Sequence, residues 1–173
     1  MNSSSKLKSL SLKDCYHVTS ERLNHALKMV PQLEKLHITD TSSVNKLYEA
    51  TVPNCPHLKS FKLDKVRIHI GIRIDIDALA IANTMPELRH LQLFGNEMTN
   101  NGLKAILDGC PHLESLDIEA CYFIRSSGNE VKLCKERIKN FKGRVDLLAN
   151  LNTRMLQFMG TDDAEDYDAF NFE

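Results

Sequence analysis

The sequence predicts an α/β solenoid, an arc of about five strand-helix repeats. The first observation behind this is self-similarity: PQLEKLHI from Pro31, PHLKSFKL from Pro56, PELRHLQL from Pro86 and PHLESLDI from Pro111 align without gaps, and SKLKSLSL from Ser5 matches with Ser in place of Pro. The second is spacing. The prolines lie 25, 30 and 25 residues apart, inside or just beyond the roughly 20 to 29 residue period of leucine-rich repeats. The third is a change of periodicity within each unit, from two in the octets to the three-and-four spacing of a helix in the segments between them.

The strands come first. In the shared pattern P-x-L-x-x-L-x-[LI], the last two apolar positions, such as Leu116 and Ile118, stand two apart and point to one side of a short strand. Three residues after the second stand Cys15, Thr41, Val66, Asn96 and Cys121, where a small side chain is expected to be buried at the turn out of the strand, cysteine serving as a compact hydrophobe.

Return helices follow. Leu23, Ala26, Leu27 and Val30 fall at i, i+3, i+4 and i+7 behind Thr19 or Ser20 as cap, and Leu103, Ile106, Leu107 and Cys110 repeat that spacing behind Thr99, with Asp108-Gly109 as a stop. The segment VRIHIGIRIDIDALAIA, 66 to 82, differs. Isoleucines at 68, 70, 72, 74 and 76 alternate with other residues, which signals a strand with one buried face. It reads as an extra strand or extended loop packed on the convex side, or as an edge offered to a partner by strand addition. Residues 130 to 142 read as a last helix, with Val131, Cys134, Ile138 and Phe141 on one face. The domain reading is therefore repeats with a C-terminal capping helix over 1–141, an extra helix over 142–159, and a disordered tail over 160–173, GTDDAEDYDAFNFE, whose six acids meet no base. The tail also reads as a docking peptide through Tyr167, Phe170 and Phe172.

Composition narrows the function. Twenty-two Lys and Arg against 23 Asp and Glu leave no global field for polyanions or anionic lipid, and no window reaches the roughly 18 apolar residues of a membrane span, so neither nucleic acid nor a membrane is expected as a partner. Five cysteines without a CxxC pair suit reduced thiols in the cytoplasm or nucleus. The tetrapeptide CPHL occurs at Cys55 and again at Cys110, but a zinc site needs about four convergent ligands, and these cysteines are separated along the solenoid. No metal or cofactor is expected. Phosphate-loop, dinucleotide, nucleophile-elbow and zincin motifs do not occur, so the chain does not read as an enzyme.

The residues flanking the strand leucines are expected to form columns across a concave face: Ser9, Lys35, Ser60, His90 and Ser115; Ser11, His37, Lys62, Gln92 and Asp117; Lys13, Thr39, Asp64, Phe94 and Glu119. Lys13, Lys35, His37, Lys62, Asp64, His90, Gln92, Phe94, Asp117 and Glu119 are the candidates for binding a protein partner there. Phe94, an aromatic at an outward strand position, is a candidate hot spot. Individually, each also reads as an ordinary solvated side chain.

The pattern P-x-L-x-x-L-x-[LI]-x-x-C, a helix ending in Cys-Pro, and CPHLESLDIEACYFI followed by LCKERIK resemble the cysteine-containing leucine-rich repeats of F-box/LRR proteins, especially the plant type, over about residues 5 to 140. The resemblance implies a module that binds a protein substrate, with a Skp-type adaptor and cullin joined through an F-box, so that ubiquitin transfer is done elsewhere. The chain enters its first repeat strand by Lys6, with no F-box ahead of it, and reads as a truncated or alternative product, or as one with something packed on its first repeat. The rival expectations are a free-standing LRR binding or inhibitor protein with no ligase connection, and a fragment that sequesters substrates.

Overall fold

Four of the repeats start at a turn that a proline sets. The carbonyl of Cys110 accepts a hydrogen bond from the Leu113 amide at 3.3 Å, and the same bond joins Val30 to Leu33, Cys55 to Leu58 and Met85 to Leu88. Proline stands second in each of these four-residue turns, where its fixed φ is already that of the turn. CPHL is therefore a turn, used twice. These contacts come from a computed structural model that describes residues 6–13, 15, 17–39, 55–65, 75–119, 121 and 123–143.

The turns feed strands β1 (Ser9–Lys13), β2 (Lys35–Thr39), β3 (Ser60–Asp64), β4 (His90–Phe94), β5 (Ser115–Asp117) and β6 (Asn140–Lys142). Among the described residues they form one parallel sheet in sequence order, not closed on itself. Each strand's neighbour is the next in the chain, which is the topology of a solenoid. The starts of β2 to β5 carry the same rung. Two successive amides of a repeat, such as those of Lys59 and Ser60, donate to one carbonyl of the repeat before, here Glu34; the carbonyls of Lys8, Lys59 and Arg89 are used in the same way.

Packing obeys the alternation. Leu36, Ile38, Phe61, Leu63, Leu91, Leu93, Leu116 and Ile118 point inward and are buried, while Leu10 and Leu12 of β1 are half-buried. Among the described residues four helices cover this inner face: α1 (Ser20–Lys28), α2 (Ile76–Thr84), α3 (Asn100–Gly109) and α4 (Asn129–Arg137). Thr19 and Thr99 cap α1 and α3 by accepting from Arg22 N and Asn101 N. Leu23, Leu27, Leu103, Ile106 and Leu107 are buried as their spacing requires.

Two expectations are corrected. The alternation at 66–82 does not continue as a strand to its end: Asp75 turns with φ 67° and Ile76 starts α2. Here the five-residue excess of this repeat precedes an ordinary return helix. The last helix stops at Arg137 rather than reaching 142, because Ile138 adopts extended backbone and Asn140–Lys142 pair with β5 as a sixth strand. That strand straddles the expected boundary at 141. At α3, Gly109 is the final helical residue rather than the stop, and Cys110 is the cap. Residues 66–74, most of the extra helix expected at 142–159 and the acidic tail at 160–173 lie outside the described residues, as do Thr41 and Val66.

Successive repeats are also tied at their helix starts. Asp75 Oδ1 and Oδ2 accept from Thr99 N and Thr99 Oγ1, both at 2.6 Å, so the cap of α3 is held by the repeat before it. A Cβ on Gly102 would meet Asp75 Oδ1 at 2.3 Å, and its absence lets the carboxylate in. One repeat on, Asn100 does a related job: it accepts from Arg125 N at 2.8 Å and donates to Glu130 Oε2 at 3.0 Å.

Candidate functional site on the open face of the sheet

The sheet's other face carries no helix among the described residues, and its side chains line up because the register is residue for residue. Lys35, Ser60, His90, Ser115 and Asn140 are successive partners after Ser9; His37, Lys62, Gln92, Asp117 and Lys142 come after Ser11; Thr39, Asp64 and Phe94 come after Lys13. Glu119 lies two residues beyond the end of β5, exposed. Lys13, Lys35, His90 and Phe94 are exposed, and His37, Lys62, Asp64, Gln92 and Asp117 are half-buried.

Three of the predicted residues meet in one cluster. Asp64 Oδ2 lies 3.0 Å from His37 Nε2 and 3.2 Å from Lys62 Nζ. Thr39 Oγ1 is 3.0 Å from the same His37 nitrogen and donates to Asp64 Oδ2 at 3.4 Å. A His37 tautomer with its proton on Nε2 satisfies this geometry. The second oxygen, Asp64 Oδ1, is buried with no hydrogen-bond partner among the described residues. The cluster locks the outward side chains of β2 and β3 together. Asp117 turns instead to its own backbone, accepting from Glu119 N at 3.1 Å.

Phe94 is 43% exposed, and a glycine fixes the turn directly after it. Gly95 has φ 63°, and a Cβ there would stand 2.2 Å from the Lys65 carbonyl oxygen. Below the ring, Lys65 pairs with the buried Asp77, which also accepts from Asn96 Nδ2 at 2.7 Å. These bonds hold the exit of β4 and so the base of the aromatic.

Sequence reading misses three contributors. Thr39 stands in a predicted column but not among the candidates; its hydroxyl joins the cluster. Lys142 stands beside Asp117 because β6 exists. A fourth column, one residue before the strands, carries ion pairs between repeats, Lys8 with Glu34 at 2.8 Å and Arg89 with Glu114. The hydrogen bond and charge of Lys8 hold the Glu34 carboxyl below its ordinary range, and Glu34 raises Lys8 in return. The column of charged residues Lys8, Glu34, Lys59, Arg89 and Glu114 is visible in the aligned octets.

Four of the five cysteines belong to the interior. Cys55, Cys110, Cys121 and Cys134 are buried, and burial pushes the thiols of Cys55, Cys110 and Cys134 up to about 11 and that of Cys121 to about 12. A thiol so far from ionising is a poor nucleophile and metal ligand. Cys110 and Cys121 each lie across one repeat, Sγ donating to the carbonyls of Met85 and Leu93 at 3.5 and 3.4 Å. Among the described residues there is no group of three or more His, Cys, Asp or Glu that could hold a metal ion, and no helix long and apolar enough to cross a membrane.

The repeat pattern of the family described as FBD-associated F-box protein At5g56370, LRR repeats, matches residues 40–149. The chain belongs to the F-box/LRR family. It is similar to F-box/LRR-repeat protein 23 of Arabidopsis thaliana, 45% identical over 80% of this chain and 31% of that protein. It is also similar to F-box/LRR-repeat protein 22, at 43% over 86% of this chain and 48% of the relative, and to F-box protein SKIP19, at 36% over 98% and 52%, both from the same plant. The chain thus spans between about a third and half the length of these F-box/LRR relatives.

Proposed function

We propose that this chain is the substrate-recognition arc of an F-box ubiquitin-ligase receptor of the SCF type, acting in the cytoplasm or nucleus by holding a protein on the open face of its sheet. The observation that carries the reading is the register. Polar and aromatic side chains of successive strands stand in aligned columns on a face that no helix covers among the described residues, in a chain of the F-box/LRR family. Aligned side chains on a rigid sheet supply what a protein interface needs, an aromatic anchor in a charged surround. In this reading the chain performs no chemistry of its own. Ubiquitin transfer is the work of other subunits, reached through a Skp-type adaptor and a cullin, as the F-box names of the relatives suggest.

Affinity capture with residues 1–173 from cell extract tests this, scored both for adaptor and cullin and for other proteins. A protein captured by the chain but not by a variant carrying Phe94→Ala and His37→Ala supports the open face as its seat. Capture that both substitutions leave unchanged refutes the open face; a captured set that never includes adaptor or cullin, even with the preceding F-box region of a relative joined to the chain, refutes the ligase connection.

A further inference from the structure

Charge on the open face is sorted along the column that starts at Lys13. Lys13 is exposed and forms no ion pair among the described residues, while the exposed cation of the neighbouring β2, Lys35, pairs with Ser9 at the other end of the strands, about 13 Å along them from the level of Lys13. Asp64 occupies this column on β3, but Lys62, His37 and Thr39 already engage it, so it offers little free charge to a partner. Phe94 comes next on β4, 43% exposed. Glu119 comes last, exposed and without an ion pair among the described residues, beyond Asp117. Lys142 stands next to Asp117, two residues short of Glu119 in the register, so it offsets the inner acid more than the outer one.

The order is therefore cation (Lys13), hydroxyl (Thr39), engaged carboxylate (Asp64), aromatic (Phe94), acid (Glu119). Neighbouring strands stand about 4.8 Å apart. Lys13 and Phe94 are three strands apart, so about 14 Å, and carrying the β4–β5 register two residues past its last pair, Gln92 with Asp117, puts Glu119 about 5 Å further. An extended segment advances about 3.3 Å per residue. A segment laid along the column would cover Lys13 to Phe94 with about four residues and reach Glu119 after one or two more.

We propose that the open face selects an extended partner segment carrying an acidic residue, an apolar residue about four positions on, and a basic residue one or two positions after that. The acid lies over Lys13, the apolar side chain covers Phe94, and the base meets Glu119. This rests on the reading of the open face as the partner's seat. The ring supplies affinity, and the opposed charges fix which way the segment runs.

The test is to pan a displayed library of random dodecapeptides against the intact 173-residue chain at physiological salt, then to measure binding of an enriched peptide and of its charge-reversed counterpart by fluorescence anisotropy. Enriched peptides should share the acid, apolar, base order at these intervals, with the charge-reversed peptide binding at least about fivefold more weakly. Lys13→Glu should move the selected first charge from acid to base, and Phe94→Ala should weaken binding about tenfold or more; both variants alter exposed side chains and should melt with the parent. Selected peptides without the charge order, a set unchanged by Lys13→Glu, or no enrichment at all would overturn the proposal. If a protein captured from extract is lost on Phe94→Ala with His37→Ala yet kept on Lys13→Glu, the receptor reading stands and this segment chemistry falls.

Discussion

Replacing Gly95 by alanine should cost this fold about 2–4 kcal/mol, and the sum can be traced through named atoms. Its φ of 63° is left-handed, a conformation that costs an alanine about 1–2 kcal/mol, less about 0.4–1 kcal/mol recovered because alanine stiffens the unfolded chain. The larger part is contact. The new methyl would stand 2.2 Å from the Lys65 carbonyl oxygen, well inside the 3.0 Å that Cβ atoms keep, and that oxygen belongs to backbone. Moving it pulls on the hydrogen bond from Lys65 N to the Phe94 carbonyl, 2.9 Å, worth about 0.5–1.5 kcal/mol, and on the Lys65 pairing with Asp77. At about 2–4 °C per kcal/mol for a chain of this size, the melting temperature should fall by roughly 5–15 °C, read by circular dichroism with a urea titration beside it. Gly95→Asn separates the two causes. Asparagine tolerates the left-handed backbone but carries the same Cβ, so it should be within about 1 kcal/mol of the alanine variant. An alanine variant within about 0.5 kcal/mol of the parent would refute the reasoning, and an asparagine variant that melts like the parent would show that backbone strain alone set the cost.

Thiol labelling at pH 8 should modify Cys15 in the native state, with Cys55, Cys110, Cys121 and Cys134 reacting only as the chain unfolds, as mass spectrometry of the labelled peptides would show. The raised thiols carry a sign as well: their folded pKa lies above the ordinary 9.0, so their contribution is intact below that pH and is lost as pH climbs from about 9 through about 11 to 12, which an alkaline series of melts would reveal. Asp75→Ala removes two bonds to Thr99 and places alanine at positive φ, and should destabilise by about 2–4 kcal/mol in urea; Asp75→Asn should lose clearly less. Glu130 is held below its ordinary 4.5 by its own backbone amide and the Asn100 side chain, so its contribution, present above about 4.5, should fade as pH drops through the folded value. Asn100→Ala should flatten that part of the acid melting profile.

How much of the fold is legible in the sequence depends on how loudly each segment declares its period. Leu36 with Ile38, or Leu91 with Leu93, sit behind the same proline turn each time, so the strands and their register are legible to the residue, and with them the columns from Lys13 to Phe94. The segment of α2 is not, because IDALAIANT is apolar on nearly every side and offers no three-and-four stripe to compete with the alternation running into Ile76. β6 is hidden for the opposite reason: Val131, Cys134, Ile138 and Phe141 keep helical spacing through the end of α4. The residues also carry a second pattern, since Ile138-x-x-Phe141 repeats Leu113-x-x-Leu116, but no proline marks its turn. The cluster at Asp64 needs coordinates. Columns say which side chains are neighbours, and only geometry says that Lys62, His37 and Thr39 share one carboxylate oxygen.

The rungs at the strand starts, where one carbonyl of each repeat takes two amides of the next, give the chain freedom in its own lengthening. Because every bond in that ladder joins adjacent units only, five residues could be inserted between β3 and α2 while Lys59 still received Arg89 and His90 as Glu34 receives Lys59 and Ser60. A gene that gained or lost one whole unit would shift the open face by three side chains at a stroke and leave every other position in place. The make-up of that face can be edited by the strand, well before it is refined by the residue.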